Sequence, residues 1–297
     1  MKRVLLTGAA GGIGKRMRRE LAGAYPVLRV SDIADLGTAG PGEEIVLGDV
    51  CNAEDRKRIV DGVDGIIHLG GLSVENPWDD ILRVNIDGTY RLFEAAYEAG
   101  VKRIVFASSN HAVGFYPRGQ ILDDTDRPRP DCRYGLSKVF GEALSQYFAD
   151  NYGIGILSIR IGWCFQKPET PRTLGSWVHI EDLTQLCRLG LDVPELHHEI
   201  VFGISDNSRT WWDNAAAKRL GYTPRHSSDQ WIGEVDGSST PEPGNAVALA
   251  VQGGPFASEG YEGDPARVTQ ARLTPRDPAP RDPAPRNPAP TRPTDKD

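Results

Sequence analysis

An apolar strand that runs directly into a glycine-spaced turn constrains this chain more than any other stretch of it. Val4-Leu5-Leu6 leads into Thr7-Gly8-Ala9-Ala10-Gly11-Gly12-Ile13-Gly14. Between a strand and a helix, small residues at this spacing permit a tight turn and leave free helix amides pointing at a pyrophosphate. Gly8, Gly11, Gly12, Ile13 and Gly14 are therefore candidate contacts to a dinucleotide; the plain alternative is a glycine turn with no ligand. The acid that follows argues for the dinucleotide. Asp32 ends the second apolar run in Val30-Ser31-Asp32, where a carboxylate bonds both hydroxyls of the adenosine ribose and repels a 2′-phosphate, which selects NAD. No arginine adjoins Asp32; Arg29 would have to reach around the strand.

The same rhythm continues. Short apolar runs at 4–6, 27–30, 45–47, 66–69, 104–107 and 156–159 alternate with helical patterns that begin near Gly12, Ala53, Trp78 and Tyr134. Such runs suit parallel strands buried on both faces. Apolar residues at three- and four-residue spacing, such as Leu82, Ile86, Tyr90 and Phe93, mark the covering helices. The expected fold class is α/β, a doubly wound parallel sheet (Rossmann), over residues 1–160. Beyond that the alternation loosens into a helix around 178–191, a strand at 200–204, Trp211-Trp212 and a helix to Leu220, so 161–264 reads as a small substrate-binding region. From 265 to 297 the composition turns to Arg, Asp, Pro and Ala, with Arg276-Asp277-Pro278-Ala279-Pro280 recurring at 281–285 and as Arg286-Asn287-Pro288-Ala289-Pro290. Proline at that density cannot pack a core and predicts a disordered tail. A docking peptide for a proline-reading partner is the alternative.

Ligands of open parallel sheets bind beyond the carboxyl ends of the strands, which points to the loops 108–133 and 161–175. Asp49 and Val50 follow the third run and would line the adenine, although Asp49 reads equally well as the cap of the helix near Ala53. Leu69, Gly70 and Gly71 would lie under the second ribose, with Ile161 at the end of the sixth run. Asn85 falls mid-helix, where an amide that bonds neighbouring backbone supports the cofactor site.

Tyr134 and Lys138 form a Tyr-x-x-x-Lys pair on one helical face. A phenol is a poor base at neutral pH, and a fixed ammonium beside it favours the phenolate. Ser108-Ser109-Asn110-His111 closes the fifth run, and Ser109 would orient a substrate hydroxyl while Tyr134 takes its proton and a hydride leaves the same carbon. Neither a metal nor a covalent intermediate is required. A lone Tyr-x-x-x-Lys match is commonly a surface helix pair; its coincidence with the glycine turn and the serine is what favours chemistry.

A net charge of −7 without a long basic stripe argues against nucleic acid or an anionic membrane as partner and for a small ligand. The start, Met1-Lys2-Arg3, imitates a signal peptide, but the apolar run breaks at Thr7-Gly8, so no export is expected. No stretch reaches the ~18 apolar residues of a membrane span. Cys51, Cys132, Cys164 and Cys187 lack Cys-x-x-Cys spacing and fit free thiols in a reducing cytoplasm. His197-His198-Glu199 does not suggest a metal, because adjacent residues at a strand start point apart. His179 and Asp182 would fix a loop over the site, and Trp211-Trp212 reads as core.

Thr7 to Gly14, Asp32, Ser109, Tyr134 and Lys138 together resemble the extended short-chain dehydrogenase/reductase superfamily. A narrower resemblance covers nearly everything before the tail. Gly70-Gly71-Leu72-Ser73-Val74-Glu75-Asn76-Pro77, Phe106 to His111, Arg160-Ile161-Gly162, Trp211-Trp212-Asp213-Asn214 and Gln252-Gly253-Gly254 look like bacterial uronate dehydrogenases. That resemblance implies NAD-dependent oxidation of pyranose D-glucuronate or D-galacturonate at the anomeric carbon to the aldarolactone. It also implies a homo-oligomer. By matching positions, Ser73, Ser109, Asn110 and His111 would hold sugar hydroxyls and Arg172 would clamp the carboxylate. Without the family, Arg172 reads as a solvated loop residue and His111 as a packing histidine. One departure stands out: where the family usually has a small serine after Arg160-Ile161-Gly162, this chain has Trp163, whose ring either swings out of the pocket or narrows it. Two other readings of the motifs are a sugar-nucleotide epimerase or dehydratase of the same superfamily, for which the folded region leaves little room, and a non-catalytic NAD-sensing protein, which typically lacks the tyrosine or lysine.

Overall fold

Seven strands form one all-parallel sheet in the order β3-β2-β1-β4-β5-β6-β7. They are β1 (Arg3–Thr7), β2 (Val27–Ser31), β3 (Glu43–Ile45), β4 (Gly65–His68), β5 (Arg103–Ser109), β6 (Gly155–Ile161) and β7 (His198–Gly203). The computed structural model describes residues 1–239 and 242–270. Helices α1 (Gly12–Glu20), α2 (Ala53–Val60), α3 (Trp78–Asp80), α4 (Gly88–Glu98), α5 (Arg133–Tyr152), α6 (Pro171–Ser176) and α7 (Ile180–Asp192) connect and cover the strands. Shorter ones follow: α8 (Ala215–Arg219), α9 (Ile232–Asp236), α10 (Ala246–Ala250), α11 (Pro255–Ser258) and α12 (Pro265–Gln270). Among the described residues no helix is long and apolar enough to cross a membrane.

Two-residue strand periodicity divides the core into two layers. Val4, Leu6, Ile67, Val105 and Leu157 pack into one cluster with Met17 of α1 and Leu183 of α7. Their neighbours Leu5, Ile66, Ile104 and Ile156 pack into the other, with Leu92 and Phe93 of α4 and Phe148 of α5. Both faces are covered, which is why the runs carry almost no polar residues. The chain reverses direction across the sheet between β1 and β4, and the crevice at their carboxyl ends is the place for a ligand.

Local signals set the helix ends near this crevice. The Cys132 thiol accepts from Gly135 N at the start of α5, and Gly153 takes a left-handed φ of 67° to end it. Thr170 and Thr173 form a capping box around Pro171 to start α6. Asn52, not Asp49, caps α2, accepting from Glu54 N and Asp55 N. The capping alternative for Asp49 is thereby corrected; Asp49 Oδ1 instead accepts from Cys51 N. The long helix expected from Trp78 contains a π-helical turn at Ile81–Asp87.

β7 extends the same sheet beyond residue 160. Helix α12 covers the first residues of the Arg/Asp/Pro/Ala-rich tail, and its Val268 is buried; the remainder, from 271 to 297, lies outside the described residues. Trp211 and Trp212 are core, with Trp212 stacked on Phe202 at 4.9 Å.

Candidate active site

A cleft of about 1000 Å³ opens over the carboxyl ends of β1, β2, β4, β5 and β6. At one end the turn after β1 meets the turn after β4 with no room between them: a Cβ on Gly8 would lie 2.7 Å from Gly70 N, and one on Gly14 would lie 2.1 Å from Gly8 O. Gly8 also has a φ of 69°. The N-cap Gly11 has no side-chain acceptor, so the first-turn amides of α1 stay available to an anion. Asp32 is held at the rim by Ala10 N (3.0 Å) and Ala34 N (3.1 Å). This cradle, closed to any side chain at Gly8 and Gly14 and carrying one acid at the ribose position, fits a dinucleotide. Arg29 is buried and spent on Glu44 and on the carbonyls of residues 58, 59 and 61, so it offers nothing to a 2′-phosphate. Asp49, Val50, Leu69, Gly70, Gly71, Ser73 and Ile161 line the same cleft.

Tyr134, Lys138, Ser109, Asn110, His111 and Arg172 line the far end. Tyr134 lies in the first turn of α5, where Glu75 accepts from its amide at 3.0 Å. A buried network sets the depth of that helix: Glu142 accepts from Arg160 Nε and Nη2, both at 2.9 Å, and from Ser108 Oγ at 2.6 Å. It ties α5 to the ends of β5 and β6. Lys138 Nζ lies 5.5 Å from the Tyr134 ring centroid and 5.1 Å from that of Phe106.

Electrostatics differ here from the expectation. Burial pushes the Tyr134 phenol up to about 12, opposed by a hydrogen bond with Ser109. Burial also pushes Lys138 down to about 8. Desolvation is the largest cause for both groups, so the spacing to Lys138 does not by itself make the phenol acidic; the sequence predicted neighbours but could not register how dry their surroundings are.

Arg172 is buried, and its Nε donates to Gln252 O at 2.7 Å. With the Asn110 amide turned to satisfy both neighbours, it donates to Ile161 O (3.1 Å) and accepts from Arg172 Nη2 (3.0 Å). No carboxylate among the described residues pairs with Arg172 within 4.0 Å. Burial pushes its guanidinium down to about 10, and Asp131 opposes this.

A family profile described as the NAD dependent epimerase/dehydratase family matches residues 4–165. The uronate dehydrogenase of Pseudomonas syringae pv. tomato is 44% identical over 88% of this chain and 95% of its own length. The chain belongs to the uronate dehydrogenases of that family. Among solved structures, the glucuronic acid dehydrogenase from Chromohalobacter salexigens superposes with a TM-score of 0.82 at 44% identity, covering 86% of this chain and 96% of that one. A mutant uronate dehydrogenase from Agrobacterium tumefaciens complexed with NAD gives a TM-score of 0.82 at 41% identity over 86% and 97% of the two chains. The protein is thus an NAD-dependent oxidoreductase of the uronate dehydrogenase family, and the fold class and the resemblance read from its motifs both stand.

The tertiary structure corrects where His179 and Asp182 act, and it shows how Asn85 and Trp163 are placed. Asn85 does not line the cleft: it accepts from Leu72 N (2.8 Å) and donates to Leu72 O (2.9 Å) and Ser137 Oγ (3.0 Å), and so braces the loop after β4 against α5. His179 and Asp182 do fix a loop, but away from the cleft. His179 caps α7, while Asp182 binds Ser205 Oγ and the amides of Arg225 and His226. Trp163 leans outward onto Phe165 at 4.2 Å, with Nε1 donating to Lys167 O at 3.3 Å, yet still lines the cleft.

Sequence reasoning missed Asp131, Glu142, Gln252 and Phe256. Their only signal was the Gln252-Gly253-Gly254 resemblance; Phe256 comes from that same late segment, while Asp131 and Glu142 lie near His111 and Tyr134 in the chain but carry no motif of their own. His111, Asp131 and Cys132 converge closely enough to resemble a ligand set. His111 Nδ1 is already bonded to Asp131, and burial raises the Cys132 thiol far above its usual value, so this is a hydrogen-bonded group with a protonated thiol.

Proposed function

We propose that this protein oxidises the pyranose form of a hexuronate, D-glucuronate or D-galacturonate, at C1 to the aldarolactone. One observation carries the reading: a buried guanidinium with no carboxylate partner among the described residues faces the same cleft as the Tyr134, Lys138 and Ser109 group. A buried charge is costly unless paired, and a sugar carboxylate held by the planar fork of Arg172 would offset that cost. Gly8, Gly11, Gly12, Ile13, Gly14 and Asp32 hold the cofactor, with Asp49, Val50, Leu69, Gly70, Gly71 and Ile161 along its length.

Bound NAD supplies the two-electron acceptor and a cationic ring. Tyr134 Oη takes the proton of the anomeric hydroxyl while the C1 hydrogen departs as hydride, and the C1–O bond becomes the lactone carbonyl. Ser109 holds that oxygen, and Ser73, Asn110 and His111 hold the other hydroxyls. A unit charge about 5 Å from the phenolate is worth roughly 3 kcal/mol at an effective dielectric of 20, or about 2 pKa units. A phenol at about 12 therefore needs more than one cation to become a base near neutrality, and Lys138 is the one that shares its helical face.

The test is the initial rate of cofactor reduction with free glucuronate, galacturonate and their neutral parent hexoses. Rapid turnover of a uronate is expected. No reduction with either uronate, but turnover of a nucleotide sugar, would move the assignment to an epimerase or dehydratase; NAD binding without any turnover would leave a sensing protein. A homo-oligomer belongs to the same reading, and sedimentation velocity checks it.

A further inference from the structure

Beneath the sugar end of the cleft lies a carboxylate that neither cofactor binding nor proton transfer has used. The side chain of Asp131 is 0% exposed, with Oδ2 2.8 Å from His111 Nδ1. Its other oxygen, Oδ1, has no hydrogen-bond partner among the described residues. The backbone is shaped around it. A Cβ on Gly253 would lie 1.7 Å from Oδ2, one on Gly114 1.9 Å from Oδ2, and one on Gly135 3.1 Å from Oδ1. Three separate segments thus omit side chains where this carboxylate sits, and Gly253 is fixed there by its amide N–H, which donates to Gly114 O at 2.8 Å.

We propose that Asp131 is a positioning residue that holds His111 as the Nδ1–H tautomer, so that Nε2 meets the substrate as a hydrogen-bond acceptor for one sugar hydroxyl. An ionised carboxylate only accepts, so the nitrogen facing it carries the proton, and the opposite nitrogen of a neutral imidazole is then an acceptor. Nε2 has no hydrogen bond among the described residues, and His111 lines the cleft. Rotation of the ring is opposed on two sides, by Phe256 at 4.3 Å and by Tyr134 at 5.8 Å between centroids. The sugar end then holds cationic donors on Arg172 and an acceptor on His111. A ligand with a carboxylate beside a hydroxyl satisfies both, whereas one with a hydrogen in place of that hydroxyl leaves Nε2 dry and unpaired. This deepens the hexuronate reading and rests on it for the ligand.

A double-mutant cycle on the full chain with NAD tests it. Asp131→Asn lets an amide N–H face Nδ1 and reverses the tautomer, so kcat/KM for the uronate should fall on the order of 10- to 100-fold. In the His111→Ala background the same change should cost less than about 3-fold, since Asp131 acts through His111. The NAD dissociation constant should not move in any of the variants. An equal loss in both backgrounds overturns the proposal and makes Asp131 a packing residue. If Asp131→Asn fails to bind NAD, the wild-type protein decides: long-range proton–nitrogen NMR of His111, assigned by its absence in His111→Ala, should show a bare Nε2 and a protonated Nδ1. A proton on Nε2 overturns the proposal. The expected tautomer in a protein that turns over no uronate would leave Asp131 in place and sink the hexuronate assignment instead.

Discussion

Replacing Arg172 with alanine separates recognition of the sugar acid from everything else in the cleft. The guanidinium is buried, so a bound carboxylate would lose its partner in a desolvated place, at a cost of about 2–5 kcal/mol. At 1.4 kcal/mol per decade this is a fall in kcat/KM of roughly 30- to 3000-fold for glucuronate and galacturonate. The side chain also bonds Gln252 O and Asn110, and losing those contacts loosens the segment that carries Phe256. That second loss applies to every substrate. The informative quantity is therefore the ratio of uronate to hexose kcat/KM, from initial rates of cofactor reduction with each uronate and its neutral parent. The ratio should collapse in Arg172→Ala while the NAD dissociation constant stays fixed. If uronates and hexoses lose the same factor, Arg172 supports the wall of the pocket and does not read a carboxylate.

Four further outcomes follow from the same geometry. Tyr134→Phe should lower kcat by about 10²- to 10⁴-fold with NAD affinity retained, measured by rates and fluorescence titration; a fully active variant would refute the assigned base. Lys138 titrates at about 8 when folded against 10.5 unfolded. The folded state therefore binds fewer protons at Lys138 between those values, and the contribution of Lys138 to stability, read as wild type minus Lys138→Met so that the buried thiols and Tyr134 cancel, should rise by about 3 kcal/mol as pH climbs from 8 to 10.5. Lys138→Met, compared by denaturant unfolding, should lack that rise, be the more stable protein at pH 7, and be far less active. Glu142→Gln leaves the buried Arg160 without its carboxylate and should cost about 3–5 kcal/mol of unfolding free energy by the same measurement. In Asp32→Ala the preference for NAD over NADP, taken as a ratio of kcat/KM, should shrink, because the acid that repels a 2′-phosphate is gone.

The cofactor half of this site was legible because its signals are local. Gly8 to Gly14 encode one turn, Asp32 marks one strand end, and Tyr134 and Lys138 share a helical face, so spacing alone predicts each. Alternating strand residues likewise announced a sheet covered on both sides. The sugar half was not legible in the same way. Gln252, Gly253 and Phe256 reach Arg172, Asp131 and His111 from a segment 80 or more residues further along the chain, and no periodicity links them. Only the resemblance pointed to Arg172 and His111. Asp49 lost its capping role to Asn52, whose side chain reaches two amides of α2.

What the chain determines by itself is therefore the doubly wound sheet, the dinucleotide turn and the pairing of phenol with ammonium, all of which depend on neighbours a few residues away. Only the folded molecule decides how those groups behave. Burial drives the Tyr134 phenol up and the Lys138 ammonium down. It also leaves Arg172 without a carboxylate partner among the described residues and encloses Asp131 between three glycines. The physical reason is that solvation energy belongs to a place in the structure: it depends on which distant segments exclude water from a side chain, and residue spacing carries no record of that.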